Sequence, residues 1–333
     1  VGLYTSPHVV DVRERIVLGG EVIGREGFAR YAVTAAVVTQ LEVDHVGLLG
    51  DTVEKIAWHK SGIFKEGVKA FTRRLPDTQK GVMEVLRARA REKGAMLVEV
   101  ADEDVEAWGG VEGARLQGPF QKYNMALAVH AAREHLLRTG VPLEGRFGTD
   151  NWSLGDIPPQ FVQGLKKAAL RGRCEVLEDT DGIEWHLDGA HTDGSLAGVG
   201  QWFARKTSSE NALRILVFNQ QERDVAGLLR ALLAGAQGEA GTKPVFTHAI
   251  FTRNEEQRLD GEDRDLSAQT KAQETMRAFD MATSTAVLDA VHPTVEHVRK
   301  LAAEAKHDGK SCKVLVTGSF HLVGAVLKTI SPE

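Results

Sequence analysis

Apolar positions along the chain change rhythm near its middle. In the second half short aliphatic runs alternate with stretches of helical spacing: a run at 184–187, a helix after Ser195, then 214–218, 225–233, 246–251, 285–288, 294–305 and 313–317. This βαβ alternation predicts a mostly parallel sheet covered by helices. In the first half the β-branched run 35–43 reads as a buried strand ending at Asp44 and His45. A helix over 52–60 follows, with Val53, Ile56 and Ala57 on one face, Thr52 as N-cap and Gly62 as its stop. A basic helix over 81–93, a strand over 96–100, an irregular stretch reaching Pro119 and a helix over about 123–137 complete this half.

Two stretches lack periodicity. Residues 140–164, rich in Gly, Pro and Asn, place a linker there or just beyond, dividing 1–165 from 171–333. Residues 254–273 are polar and charge-dense and read as a mobile surface loop. Residues 1–15 open with an apolar run, turn at Ser6 and Pro7, and continue as a loop leaving a strand. No internal repeat stands out.

Composition narrows the function classes. A chain of 333 residues with 42% hydrophobic and 26% charged positions can bury a real core. A net charge of -5 argues against a protein devoted to neutralising nucleic-acid phosphates. Cys174 and Cys312 stand far apart with no CxxC spacing, which indicates neither a disulfide framework nor a zinc site and fits a reducing compartment. No apolar run reaches the roughly 18 residues that span a bilayer, and no basic-then-apolar leader opens the chain. It starts at Val1 and not at Met, as a fragment would.

The chemistry-bearing residues are individually ambiguous. Asp44-His45 at a strand end is a common pair, and Lys60 at a helix end either complements the dipole or folds over the strand's carboxyl end, where open α/β sheets place ligands. Asp188-Gly189-Ala190-His191 puts a carboxylate and an imidazole on one tight turn at the edge of the second sheet. Arg173, after Gly172, is either solvated or a fork for phosphate; Asn124 either caps its helix or holds a ligand. Gly309-Lys310-Ser311 imitates the end of a phosphate loop, but Glu304 stands where the first glycine belongs, and a turn is expected there.

In order, the chain carries GLYTSPHVVDVRERI, LEVDHVGLLGDTVEKIAWHKSGIFK, FQKYNMALA, GRCEVL, HLDGAHT and LVTGSFHLVG. This ordered set resembles the folylpolyglutamate synthases of the Mur ligase superfamily, the second block being most similar to eukaryotic members. The resemblance implies an α/β architecture, a P-loop-type central ATPase domain, truncated here, followed by a Rossmann-like C-terminal domain, with ATP between them. It implies an ATP-dependent ligase that adds L-glutamate to the γ-carboxylate of a folate through an acyl phosphate, in one-carbon metabolism. It implies Ser6, His45 and a carbamylated Lys60 as magnesium ligands, and Asn124, Arg173, Asp188 and His191 as ATP-binding residues. Lys60 and His191 are thereby the catalytic candidates, and the Thr5, Ser6, Pro7, His8 loop borders the folate. A cytoplasmic monomer, with a mitochondrial form, is implied, together with folate, L-glutamate and ATP as partners and neither nucleic acid nor membrane.

The chain also departs from that pattern. The family's glycine-rich phosphate loop would lie upstream of Gly2, and the chain passes from Tyr31 almost at once to 35–43, where members have a long segment carrying a metal-binding glutamate. Thr192 stands where Asn usually follows DGAH. Weak or absent activity is therefore expected, as is an unpaired apolar sheet edge. A folate- or nucleotide-binding remnant without catalysis, and a Mur-type ligase acting on another acid, are the alternatives.

Overall fold

The computed structural model describes residues 2–4, 16–18, 21–22, 33–43, 46–116, 118–207, 211–221, 223–240, 245–258 and 263–331. A small antiparallel meander comes first: β1 (Gly2–Tyr4), β2 (Ile16–Leu18) and β3 (Glu21–Val22). The predicted Ser6-Pro7 turn lies outside the described residues.

A three-stranded parallel sheet follows in the order β4 (Ala35–Val38), β5 (Lys69–Arg73), β6 (Met96–Val100). Its alternating side chains feed two cores. Ala36, Val38 and Ala70 pack with Ile56, Ala57, Met83 and Leu86 of the helices Val53–Lys60 and Lys80–Glu92. Phe71 and Val100 pack against Ala126, Leu127 and Val129 of the helix Gln121–Arg138 on the opposite face. Among the described residues β4 pairs with β5 alone.

The sequence reading needs correction at four places in this half. The strand at 35 ends at Val38, because Thr39 and Gln40 turn outward and are exposed. Thr52 does cap the following helix, accepting from the Lys55 N–H at 3.3 Å, but Gly62 does not stop it. The chain tightens into a 3₁₀ turn over Ser61–Ile63, and burial of Phe64 then draws it away into the core. The stretch before Pro119 contains a helix, Asp102–Trp108. Its first turn holds three acidic residues where the dipole favours them, and Gly109 closes it at φ 75°. Within 140–164 the chain is packed: Phe147 and Leu154 are buried, and the helix Pro159–Lys167 sets Phe161 and Leu165 on the same cluster.

The second half forms a six-stranded sheet in the order β11-β10-β9-β12-β8-β7. Its strands are β7 (Glu175–Glu178), β8 (Ile183–Leu187), β9 (Ala212–Phe218), β10 (His248–Phe251), β11 (Ser284–Val287) and β12 (Ser311–Thr317). All pairings are parallel except β7 with β8. Leu216, Phe218, Phe251 and Leu315 face the helices Asp193–Thr207, Val225–Ala240 and Ser267–Phe279. Ile215, Val217, Val314 and Val316 face the helices Val291–His307 and Phe320–Ile330.

The charge-dense insert is therefore only partly a loop. From Ser267 it belongs to a helix, with Ala272 in the core and even Gln269 buried. Polar residues that face inward hid the pattern. Gly309, at φ 70°, and Lys310 form the turn between helix and strand, as their spacing predicted. No helix among the described residues is long and apolar enough to cross a membrane.

A charged cluster crosses strands β8 and β12. The Glu184 carboxylate lies 2.7 Å from His186 Nε2 and accepts from Lys313 Nζ at 2.9 Å. The bond to His186, then that to Lys313, holds the Glu184 carboxyl down at about 2. A carboxyl depressed below its unfolded value, about 4.3, contributes stability that is full above that value and is lost as pH falls toward the folded one. Glu184→Gln should flatten the loss of stability between about pH 4 and pH 2, which urea unfolding across that range would measure; an unchanged acid limb would contradict it.

Candidate active site

The carboxyl ends of the β8 and β12 strands, where the following loops leave the sheet, meet residues of the first half. Asp188 directly follows β8 and is 2% exposed. Its Oδ2 accepts the Cys174 N–H at 2.7 Å and its Oδ1 accepts the Ala190 N–H at 2.8 Å, so one carboxylate ties two loops. Burial raises its pKa, against the lowering effect of the Cys174 N–H and the Arg173 charge. Gly189 must lack a side chain: a Cβ there would lie 2.5 Å from the Phe320 ring. That ring carries the Arg173 guanidinium 4.1 Å above its centroid.

Asn124 sits in the first turn of the helix Gln121–Arg138 and does not cap it; its Nδ2 donates to Gln121 Oε1 at 3.1 Å. Asn124, Arg173 and Asp188 line one cleft of about 1000 Å³, with Thr39 and Gln40 on one wall and Gly198 and Gly235 on another. Arg73 and Tyr123 line it too, and sequence reasoning missed both. Arg73 stacks 3.7 Å over the Tyr123 ring and is held there by Asp102 at 2.9 and 2.5 Å. Burial, then the hydrogen bond to Glu106, pushes the Tyr123 hydroxyl up to about 12.

His191 borders a neighbouring cleft of about 610 Å³, lined also by Val43, Thr192, Arg223 and Asp224. A carbonyl can only accept, so the 2.8 Å contact to the Gly189 carbonyl puts a proton on His191 Nδ1. Arg223, not singled out from sequence, donates to the His191 carbonyl at 3.0 Å. Its signal was the Arg-Asp pair at a strand-to-helix loop. The Thr192 hydroxyl, in place of the expected amide, bonds Glu42 from the first half and lies 2.7 Å from Ser195 Oγ, which borders the larger cleft.

Of the remaining candidates only Lys60 is among the described residues. Lys60 is the last residue of the helix Val53–Lys60 and lines neither. Thr5, Ser6, Pro7, His8 and His45 lie outside the described residues. Among the described residues no group of three or more His, Cys, Asp or Glu could hold a metal ion.

No family model matches the chain. It is 30% identical over 405 positions to a folylpolyglutamate synthase of Saccharomyces cerevisiae strain FostersO, covering 98% of the chain and 71% of the relative. With the folylpolyglutamate synthase of Neurospora crassa the identity is 30% over 411 positions, covering 98% and 74%. Both alignments are longer than the 333 residues of the chain, so the relatives carry stretches without a counterpart in it. Among solved structures, the Mycobacterium tuberculosis folylpolyglutamate synthase complexed with ADP superposes with a TM-score of 0.69 at 20% identity, over 100% of the chain and 84% of that protein. The bifunctional folylpolyglutamate synthase/dihydrofolate synthase of Yersinia pestis, complexed with AMPPNP and a Mn ion, gives 0.59 at 17% identity, over 98% and 81%. On the strength of the fungal relatives and this Mur-ligase-like α/β fold, the chain belongs to the folylpolyglutamate synthase family.

Proposed function

We propose that the chain serves the ATP-dependent joining of L-glutamate to the γ-carboxylate of a folate through an acyl phosphate. The observation that carries this reading is the cleft of about 1000 Å³ in which Asn124, Arg173 and Asp188 converge from three separate segments. A mononucleotide fits a pocket of that size. The Arg173 fork suits phosphate oxygens, the Asn124 amide suits a base, and each Asp188 oxygen keeps a lone pair for a ribose hydroxyl. His191, with its proton on Nδ1 and Arg223 behind its main chain, would meet the phosphates from the neighbouring cleft.

The divalent ion is proposed to be magnesium, held by Ser6, His45 and Lys60; it would offset phosphate charge. Of these only Lys60 is described, and an ammonium repels a cation, so it would serve only as the carbamate. The chain's own groups therefore bind and orient the nucleotide. Division into units 1–165 and 171–333, a monomeric state and residence in the cytoplasm, with a mitochondrial form, belong to the same proposal.

A second reading, nucleotide or folate binding without turnover, is favoured by the stretches that the relatives carry and this chain lacks. Magnesium-ATP should raise the melting temperature, because saturation at one hundred times Kd stabilises by about 2.7 kcal/mol. Arg173→Ala should remove that rise. Glutamate addition by the 333-residue chain should be weak. No rise in a cooperatively melting protein would overturn the nucleotide site, and vigorous ligation would overturn the second reading.

A further inference from the structure

A separate cavity of about 570 Å³ lies beside the outer edge of β6. The indoles of Trp108 and Trp152 and the imidazole of His130 line it, with Asp104, Ser153 and Gly155 at its rim. None of these residues borders either cleft described above. His130 lies 4.6 Å from the Trp152 ring and 5.6 Å from Phe71, so its plane is fixed by aromatic neighbours. Burial, then the Arg133 charge, lowers its pKa to about 4, and the ring is neutral at physiological pH.

Val98, Glu99 and Val100 of β6 form the third wall. Met96 N–H donates to the Val68 carbonyl and Val100 carbonyl accepts from Arg74 N–H, so Met96, Val98 and Val100 turn their main-chain groups toward β5. The alternation of a parallel strand then directs the N–H and C=O of Glu99 outward, where no strand of the described residues pairs with them. An outward-facing residue offers a donor beside an acceptor, and an unpaired edge of this kind is a hydrogen-bonding template.

We propose that this cavity is a second small-molecule site for a planar heteroaromatic ring with a lactam edge, an N–H beside a C=O, as guanine and pterin rings carry. The lactam pairs with the Glu99 main chain, the ring faces meet Trp108 and Trp152, and Asp104 accepts from an exocyclic amine. Nothing in this site depends on the nucleotide cleft.

Calorimetric titration of the 333-residue chain with guanosine and, separately, with pterin tests it. Saturable binding of at least one probe is expected, weakened at least tenfold by Trp108→Ala, which removes a wall, and by Gly155→Phe, which fills the mouth where a Cβ meets only Ser153 Oγ at 3.6 Å. Binding should survive Arg173→Ala. Guanosine alone would identify a nucleoside site, pterin alone a folate-type site, and both would mean that the lactam edge is the whole determinant. No binding of either probe, binding unaffected by both cavity variants, or binding lost with Arg173→Ala would overturn the proposal.

Discussion

Replacing Asp188 with alanine is expected to cost the fold about 2–5 kcal/mol and to abolish stabilisation by magnesium-ATP. The carboxylate is 2% exposed and accepts the N–H groups of Cys174 and Ala190. Alanine would leave both donors buried without an acceptor, and would leave the half-buried Arg173 beside no counter-charge. Cys174 adds to the effect. It holds φ at 43°, a left-handed conformation that a non-glycine residue keeps only under restraint, and its N–H bond to Asp188 is that restraint. Asp188→Asn keeps the shape but turns an NH₂ toward one of the two donors, so an intermediate loss is expected.

The pH dependence separates the two variants from a simple packing defect. Burial raises the Asp188 pKa, so the native state holds this proton more tightly than the unfolded chain does. Its share of stability is full below the unfolded value, about 3.9, and is lost as pH rises through the folded one. Asp188→Asn should remove that downward slope. Urea unfolding as a function of pH, with and without nucleotide, reads both effects. An Asp188→Ala protein that unfolds at the wild-type midpoint and still responds to nucleotide would refute the account.

Elements with one apolar face were legible in the sequence, and those whose signal is polar were not. The β9 strand, over Ala212–Phe218, and the β12 strand, over Ser311–Thr317, are nearly continuous buried runs, which is why the parallel sheet could be read directly. The β7 strand has four residues with alternate exposure and pairs antiparallel at the sheet's edge, too little signal to separate from a loop. The helix Asp102–Trp108 buries fully only Val105, so its cue was the acidic first turn and the glycine stop, not periodicity. The start of the helix Ser267–Phe279 reads as a loop because Gln269 is buried while polar.

Candidate residues divide in the same way. Asn124, Arg173 and Asp188 stood in short motifs, and they share a cleft. Arg73 lines that cleft beside Tyr123, held over the ring by Asp102 from the helix Asp102–Trp108. Arg223 supports His191 through a main-chain carbonyl, which imposes no particular residue on its partner. Contacts of this type exist only after the sheets assemble: the sequence shows the Arg223-Asp224 pair, but not the carbonyl that Arg223 meets.

Gly200→Ala and Gly235→Ala are each expected to destabilise the protein by about 1–3 kcal/mol, although in an open helix the same exchange stabilises by about 1 kcal/mol. The helices Asp193–Thr207 and Val225–Ala240 touch main chain to main chain at these positions. A Cβ on Gly200 would lie 2.2 Å from the Leu232 carbonyl oxygen, and one on Gly235 would lie 2.1 Å from that of Ala197. Neither obstacle is the end of a flexible side chain, so the helices must part. Parting opens the core that Leu196, Val199 and Phe203 share with Leu229, Leu232 and Leu233. Ala197, Gly198 and Gly235 also border the larger cleft, so the same movement should weaken nucleotide binding. Gly238 is the internal control: it lies on the second helix with nothing within 4 Å of its Cβ position, and its change to alanine should stabilise. Chemical denaturation of the three variants decides the matter through the opposite signs. Equal gains at Gly200, Gly235 and Gly238 would mean that helix propensity alone governs these positions and that the two helices do not meet through their main chains.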